Sequence, residues 1–257
     1  MNKVLESTHF LTLSPKFVFI NHDKIDEVAE RFSKEDLKIP TWSYGEHPNA
    51  IEKFEDVIDT FFLCNSINFA FTDFETGQKF ESYHNSEKFT GSSGMWACVK
   101  HAIINGTPLL DANYLANFSE DDMEFVFSGN MEIPMINERL WVYGRFQNTN
   151  KHPLFSDVNE STVAADYVLP KGLRDMGILT YEKSLANKVD NGILIPADTL
   201  EELEIRASTI HACNEVVGLL NEKYGKNINA WHLDAKIWSE ARKNKETKHH
   251  LTRTIAY

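Results

Sequence analysis

The stretch TLEELEIRASTIHACNEVVGLLNEKYG, residues 199–225, decides the fold class. Thr199 and Glu202 have the spacing of a capping box, which marks the start of a helix. Apolar residues then recur in steps of three and four, as on the buried stripe of a helix: Leu203, Ile210, Cys213, Val217, Leu220 and Tyr224. Gly225 is typical of the left-handed position that ends a helix. The pattern predicts a long core helix whose Glu and Arg side chains are solvated on its outer face.

Helical periodicity continues on both sides of this segment. It predicts further helices around residues 51–62, 94–105, 119–127, 170–176 and 230–241. Alternating polar and apolar residues favour a short strand or an extended stretch at residues 65–72, ahead of a turn around Thr76 and Gly77. The polar stretch at residues 147–161 is predicted to be a loop, which could be a domain boundary or a long surface connection within one domain. We therefore expect a mainly α protein with a small β element, forming one compact helical domain over residues 1–257.

Composition narrows the range of functions. The formal net charge is −12, which argues against strong nucleic-acid binding because proteins that follow a phosphate backbone usually carry a basic face. The three cysteines, Cys64, Cys98 and Cys213, show no C-x-x-C spacing, so a zinc ribbon or disulfide scaffold is not expected. The histidines are equally scattered, and we expect no metal. With no signal segment or apolar membrane span, the sequence favours a soluble cytoplasmic protein without a membrane partner.

A first candidate site residue lies in ADYVLP, residues 165–170. Pro170 suits the first turn of a helix, which leaves Asp166 just ahead of a helix N-terminus. Free backbone N–H groups and the helix dipole favour a negative charge there, so Asp166 is expected to stay ionised. An ordinary capping or turn aspartate gives the same pattern, and the local sequence leaves both interpretations open.

A second candidate lies in NAWHLDAKIW, residues 229–238. Asp234 and Trp238 are four residues apart and would share one face of a helix, with Trp231 on the same broad stripe. A carboxylate beside an indole suits a flat heterocycle rich in donors, because the ring can stack while the acid accepts N–H groups. A core tryptophan with a peripheral aspartate would have the same spacing.

At these residues the sequence resembles the queuosine salvage family, N-glycosylases that hydrolyse queuosine 5′-phosphate to release the base queuine. Six blocks follow the family's order over most of the chain: FFLCNSINFAF (61–71), the segment 89–115, ADYVLPKGLRDMGILTY (165–181), EIRA (204–207), INAWHLDAKIW (228–238) and HHLTRTIAY (249–257).

The resemblance implies a compact helical fold related to DNA glycosylases, with no metal and no organic cofactor. It implies that Asp166 lies beside the anomeric carbon of a small nucleoside or nucleotide substrate, as a nucleophile or as an electrostatic stabiliser of an oxocarbenium-like sugar. The base-binding residues that it implies are Asp234, Trp238, His47, Ala165 and Asn68.

Several positions depart from the family pattern. The Arg of the family's A-D-Y-R is Val168, the aromatic residue two positions before the aspartate is Ala164, and the polar loop 147–161 stands where the family carries a Lys-Arg pair associated with the 5′-phosphate. Loss of these cations leaves the nucleoside open as the substrate. On the side of the base, residues 92–94 (SSG) and Ser239 also differ from the family.

Three functions follow from these observations. The leading hypothesis is an N-glycosidase that releases queuine or a related 7-deazaguanine for queuosine salvage in tRNA modification. A non-catalytic protein that binds queuine or queuosine stays open because of the departures. A glycosylase that flips a base out of a nucleic acid is the third hypothesis, and the acidic net charge opposes it.

Overall fold

The computed structural model describes residues 2–38, 54–68, 71–73, 75–133, 136, 140 and 160–254, in which helices dominate. Within these ranges the elements are, in chain order, α1 (Lys3–Leu13), β1 (Val18–Ile20), α2 (His22–Ser33), α3 (Phe54–Ser66), β2 (Glu81–His84), β3 (Glu87–Thr90), α4 (Ser92–Ile104), α5 (Ala112–Ala116), α6 (Glu120–Val126), α7 (Val168–Asp175), β4 (Leu179–Tyr181), α8 (Lys183–Asp190), α9 (Leu200–Glu222) and α10 (Ala230–Ala241). The prediction of a mainly α fold with a small β element is therefore confirmed.

The backbone packs as two compact units. The first contains Met1–Thr41 and Leu154–Tyr257, and the second contains Trp42–Pro153. Each unit has a hydrophobic cluster of its own. The expectation of one domain over residues 1–257 stays a prediction.

Helix α9 is the centre of the first unit. It packs against α1, α2, α7, α10 and strand β1. The predicted stripe is largely confirmed, since Ile210, Cys213 and Leu220 are buried. Strand β1 pairs antiparallel with β4, so that Val18 lies opposite Tyr181 and Ile20 opposite Leu179. This pairing connects the N-terminal segment to the strand that directly follows α7.

The prediction that the charges of α9 are solvated is wrong for the acidic residues near its start. Glu202 and Glu204 are only 1% exposed, and Glu201 is also buried. Because other elements cover α9 on several sides, its charges have partners instead of solvent: Glu201 pairs with Lys188 at 2.7 Å, and Glu202 contacts Arg206 at 3.5 Å.

Glu204 binds backbone rather than a cation. Its carboxylate accepts hydrogen bonds from the N–H groups of Lys16, Phe17 and Val18 at 2.7 to 3.1 Å. These donors precede or begin β1, and their bonds run to α9 rather than to another strand. A charged acceptor that satisfies several buried N–H groups offsets much of its own desolvation. Glu204 thereby fixes the start of β1 against the central helix.

The second unit has a hairpin and a helical core. Strands β2 and β3 pair with Glu81 opposite Thr90 and His84 opposite Glu87, and α4 packs on both strands. Phe80 and Met95 are fully buried in this core. The turn predicted near Gly77 is confirmed, because Gly77 has a φ of +72° and its N–H donates to the Asp73 carbonyl at 2.9 Å.

The strand predicted at residues 65–72 is wrong at its start. Asn65 and Ser66 belong to the last turn of α3, and Thr72 forms only an isolated antiparallel bridge with Lys79. The buried residues Leu63, Cys64 and Ile67 have the three- and four-residue spacing of a helix, which overrides the local alternation.

The other predicted helices are present with small shifts at their ends, as α3, α4, α6, α7 and α10. Residues 51–53 lie outside the described residues, as does almost all of the predicted loop 147–161. Cys64, Cys98 and Cys213 are buried and free. In the described part of the chain, the helices are too short or too polar to cross a lipid bilayer.

The contacts of Glu204 predict a large loss of stability on replacement by glutamine. In Glu204→Gln an NH₂ group replaces one carboxylate oxygen, so that N–H donors of the side chain face backbone N–H donors. The remaining oxygen still accepts hydrogen bonds but carries no charge. We expect the free energy of unfolding in urea to fall by about 2–4 kcal/mol. Glu215→Gln is the matched control on the same helix, where the carboxylate is 40% exposed and contacts His22; its effect should stay below about 0.5 kcal/mol. Equal midpoints for the two variants would contradict the anchoring role of Glu204.

Candidate active site

Asp166 lies at the start of α7, as the position of Pro170 predicts. Its Oδ1 atom accepts hydrogen bonds from the N–H groups of Val168 at 2.7 Å and Leu169 at 2.9 Å. These are two of the N–H groups that a helix leaves free in its first turn. Among the described residues no group donates a hydrogen bond to the second oxygen, Oδ2.

Burial works against the charge of this carboxylate. Asp166 is half-buried, and burial raises its pKa to about 6, although the N–H groups of Leu169 and Val168 act to lower it. At neutral pH most molecules therefore carry the expected ionised Asp166. The difference between the pH and the pKa is much smaller than it would be for a solvated aspartate. Such a carboxylate is both charged and poorly hydrated.

Asp234 lies on α10 and is held by the turn that precedes Asp166. Its Oδ2 atom accepts the N–H of Ala164 at 2.9 Å, and the carbonyl of Ala164 accepts the N–H of Asp166 at 2.8 Å. Burial raises the pKa of Asp234 to about 6; the Ala164 hydrogen bond lowers it, and repulsion from Asp166 raises it. The structure thus brings the two predicted carboxylates into one electrostatically coupled pair.

The tryptophans of α10 are not core residues. Trp238 is 39% exposed and Trp231 is 42% exposed, whereas Asp234 is half-buried. The interpretation of a core tryptophan with a peripheral aspartate is therefore wrong. The guanidinium carbon of Arg242 lies 4.6 Å from the centroid of a Trp238 ring, so that one indole face is covered by a cation.

Tyr167 is a neighbour of the pair that our sequence analysis did not identify. Its ring lies 4.7 Å from that of His249. Burial raises the pKa of its phenol and the charge of Asp166 raises it further, while Arg242 acts in the opposite direction. Adjacency to Asp166 could have suggested Tyr167, but its contact with His249 joins residues too far apart for a local pattern to reveal.

The packing of α7 on α10 fixes the position of the pair. A Cβ atom at Gly172 would lie 2.7 Å from Ile237 Cγ2 and 3.0 Å from Ala241 Cβ, so only glycine allows this approach. Beside it, the buried Lys171 ammonium donates to the carbonyls of Ala241 at 2.6 Å and Asn244 at 2.8 Å. Carbonyls at a helix C-terminus lack intrahelical donors; Lys171 supplies one and ties α7 to the end of α10.

A polar cleft of about 800 Å³ lies on the same unit. Its walls include Val163 and Thr162, directly before Ala164, together with Asn229 and His232 at the start of α10. Neither Asp166 nor Asp234 lines this cleft, which reaches the turn only from the side of Val163.

The remaining predicted residues are placed as follows. Ala165 is half-buried between the two ends of the Ala164–Asp166 hydrogen bond. Asn68 is exposed just after α3, in the second unit. His47 lies outside the described residues. Within the part of the chain that the structure describes, the His, Cys, Asp and Glu side chains form no cluster able to hold a metal ion.

The chain is similar to known proteins over nearly its whole length. A family model described as queuosine salvage protein matches residues 46–145 and 140–257. Relatives named queuosine 5′-phosphate N-glycosylase/hydrolase occur in Sphaerobacter thermophilus (27% identical, covering 99% of this chain and 97% of the relative) and in Nematostella vectensis (24% identical, 98% and 97%). A protein of the same name from Bos taurus is 22% identical and covers 98% of both chains. This chain therefore belongs to the queuosine salvage protein family.

Proposed function

We propose that this protein hydrolyses the N-glycosidic bond of queuosine 5′-phosphate, or of queuosine, and releases queuine for tRNA queuosine salvage. The observation that carries the proposal is the pair of partly desolvated carboxylates, Asp166 and Asp234, at a helix start. Ala164 links the two residues, because its N–H donates to the Asp234 carboxylate and its carbonyl accepts the backbone N–H of Asp166. Three relatives that match almost the full chain are named for this activity. No metal or organic cofactor enters the proposed reaction.

The reaction adds one water across the bond between C1′ and the base. The bonding electron pair leaves with the base, which takes up a proton, and the hydroxyl of water ends on C1′ of the sugar. The sugar passes through an oxocarbenium-like state whose positive charge is shared by C1′ and the ring oxygen. Asp166 acts on this state, either by forming a covalent bond to C1′ that water then breaks, or by stabilising the cation while water attacks.

The geometry of Asp166 suits either role. Two backbone N–H groups hold Oδ1, which aims Oδ2 without a flexible partner. A charge in a poorly hydrated site interacts more strongly with a developing cation than the same charge in water. The two N–H groups also keep enough of the carboxylate ionised at neutral pH to act.

The base requires different help. Queuine is a 7-deazapurine and lacks the N7 atom at which ordinary purine leaving groups are protonated, so its pyrimidine edge carries recognition. We assign Asp234 to the N–H groups of that edge, because a carboxylate accepts two in-plane hydrogen bonds. Trp238 is exposed enough for a base to stack on it. Ala165, His47 and Asn68 are proposed as further base-binding residues.

The proposal also covers partners and location. The partner is a small nucleoside or nucleotide, and we expect neither strong nucleic-acid binding, given the net charge of −12, nor membrane binding. A cytoplasmic location is consistent with the free cysteines. The alternative, a protein that only binds queuosine, is not favoured by the relatives, which are named N-glycosylase/hydrolase. The presence or absence of turnover separates the two.

Replacement of Asp166 tests the catalytic assignment. Asp166→Asn keeps an oxygen for the N–H groups of Val168 and Leu169 but removes the charge. We expect queuine release, followed by mass spectrometry, to fall about a thousandfold or more, while substrate affinity stays within roughly tenfold. Asp26→Asn is the matched control, since Asp26 is 60% exposed on α2. Retained turnover in Asp166→Asn would move the chemistry elsewhere, and absence of turnover in a wild-type protein that still binds queuosine would leave only the binding alternative.

The raised pKa of Asp166 predicts an unusual effect on stability. A carboxyl whose pKa is about 6 in the folded state and near 3.8 in the unfolded state makes the native state bind more protons between these values. The contribution of Asp166 to the free energy of unfolding therefore falls as pH rises from about 4 to about 6 and then stays level. Asp166→Asn removes this penalty and should be about 1–2 kcal/mol more stable than wild type at pH 7.5, after allowance for partial exposure. Urea unfolding should show the gain disappearing at pH 4; a gain at both pH values, or none at pH 7.5, contradicts the assignment.

Replacement of Asp234 tests the coupling of the pair. If catalysis needs ionised Asp166, kcat/KM decreases as pH falls through about 6. Repulsion between two carboxylates is mutual, so Asp234→Asn should lower the pKa of Asp166 and move this acidic limb to lower pH.

The variant should also reduce the preference for queuosine over guanosine, measured as the ratio of the two kcat/KM values. An acidic limb at the wild-type pH would show that the carboxylates do not interact, and unchanged selectivity would remove Asp234 from base recognition.

A further inference from the structure

Another cavity of the first unit lies apart from the proposed active site. It has a volume of about 530 Å³ and is bordered by α1, β1, the start of α2 and α9. Neither Asp166 nor Asp234 lines it, and the proposed hydrolysis makes no use of it. Cavities of about 300–1,000 Å³ that combine apolar side chains with a few polar groups are typical binding sites for small organic molecules.

The elements around the cavity supply different kinds of side chain. The end of α1 and strand β1 contribute apolar residues, among them Leu13, Val18 and Phe19, whereas α9 contributes the polar residues Ser208 and Asn214. Phe19 is 42% exposed, so its ring is accessible, and the exposed amide of Asn214 offers a donor and an acceptor. A flat heterocycle matches this combination, because its faces are apolar and its edge is polar.

The hydroxyl group of Ser208 is buried without a hydrogen-bond partner. Ser208 is fully buried on α9, and in the described part of the chain nothing pairs with its Oγ atom. The adjacent Thr209 is equally buried, but its hydroxyl donates to the carbonyl of Ile205, one turn earlier, at 2.8 Å. A buried hydroxyl without a partner costs about 1–3 kcal/mol. In a cavity wall, such a group points to a ligand that supplies the missing partner.

The charged groups of the cavity favour an uncharged ligand. Among the described residues that line it, none is a lysine or arginine, and the one carboxylate, that of Glu215, contacts the His22 imidazole at 2.9 Å. The rings of His9 and His211 lie 5.6 Å apart. Burial lowers the pKa of His211, and His9 lowers it further, which favours the neutral imidazole. A strongly charged ligand would lose its hydration here without gaining an unpaired opposite charge.

We infer that this cavity binds a neutral, planar heterocycle of the size of a nucleobase, at a site separate from Asp166 and Asp234. The ring packs against Phe19 and His9, and its edge exchanges a hydrogen bond with Ser208. A nucleobase edge carries both donors and acceptors, and a hydroxyl can serve as either. None of these residues belongs to the proposed catalytic or base-binding set, so failure of this proposal would leave the glycosidase proposal intact.

Imperfect packing of α1 on α9 would also leave a cavity and an unpaired hydroxyl. Removal of the hydroxyl in Ser208→Ala should then leave stability unchanged or raise it, since an unsatisfied polar group is lost. The same holds if the cavity binds a ligand, so stability does not separate the two explanations. The affinity for a ligand does, because a packing defect gives Ser208 no part in binding.

The test is calorimetric titration with adenine and with 7-deazaguanine, the ring system of queuine. We expect wild type to bind at least one of these bases. Ser208→Ala should weaken the binding about 3- to 10-fold, as for loss of one hydrogen bond, and Phe19→Ala should weaken it by a similar factor through loss of the ring contact. Thr209→Val is the matched control, because it removes a buried hydroxyl at the adjacent position, which does not line the cavity; its affinity should equal that of wild type.

Asp234→Asn separates this cavity from the proposed active site, because the variant keeps the cavity and loses the acid assigned to the base. Binding that persists in Asp234→Asn and falls in Ser208→Ala would place the ligand in the cavity. Binding of neither base by wild type, or an affinity that neither Ser208→Ala nor Phe19→Ala changes, would overturn the proposal. Turnover of queuosine 5′-phosphate by Ser208→Ala should equal that of wild type in either case.

Discussion

Two peptide N–H groups at the start of α7 hold one oxygen of Asp166 while burial opposes its charge, and the account of this site depends on that balance. Without the N–H groups of Val168 and Leu169, the pKa of this carboxyl would be higher still, and less of it would be ionised to stabilise a cationic sugar. Without the burial, the carboxylate would be well hydrated and a weaker partner for developing positive charge. At the resulting pKa of about 6, most of the carboxylate is ionised at neutral pH. It is also poorly hydrated, so it interacts strongly with a cationic sugar.

Other buried charged side chains of the first unit help to position α7, which carries the N–H groups that hold Asp166. Glu204 anchors the segment before β1 to α9, and β1 pairs with β4, the strand that follows α7. Lys171 donates to carbonyls at the end of α10, and Gly172 lets α7 and α10 come into close contact. These contacts fix both ends of α7 relative to the helix that carries Asp234. The carboxylates are therefore positioned by contacts that lie several residues away from them, and preorganised electrostatics requires such support.

Much of this architecture could be predicted from sequence, because its signals are local. Thr199 and the apolar spacing after it predicted α9, and Pro170 predicted that Asp166 precedes a helix. Helix α2 was missed although Asn21 caps it and Ile25, Val28, Ala29 and Phe32 have helical spacing. The burial of Glu204 could not be predicted in this way, since its donors are about 190 residues away. The same holds for Lys171, for the contact of Tyr167 with His249, and for the hydrogen bond between Asp234 and Ala164, each of which depends on tertiary packing. The family resemblance brought Asp166 and Asp234 together before any geometry was known; their coupling is a result of the structure.

The central claim is that Oδ2 of Asp166 faces the carbon from which the base departs. A crystal structure of the Asp166→Asn protein with intact queuosine 5′-phosphate tests it most directly, because the substrate should survive in that variant. The account predicts that the side chain at position 166 lies within about 3.5 Å of C1′, with the base edge at Asp234. A complex in which C1′ lies well away from position 166, with another acidic side chain beside it, would contradict the account.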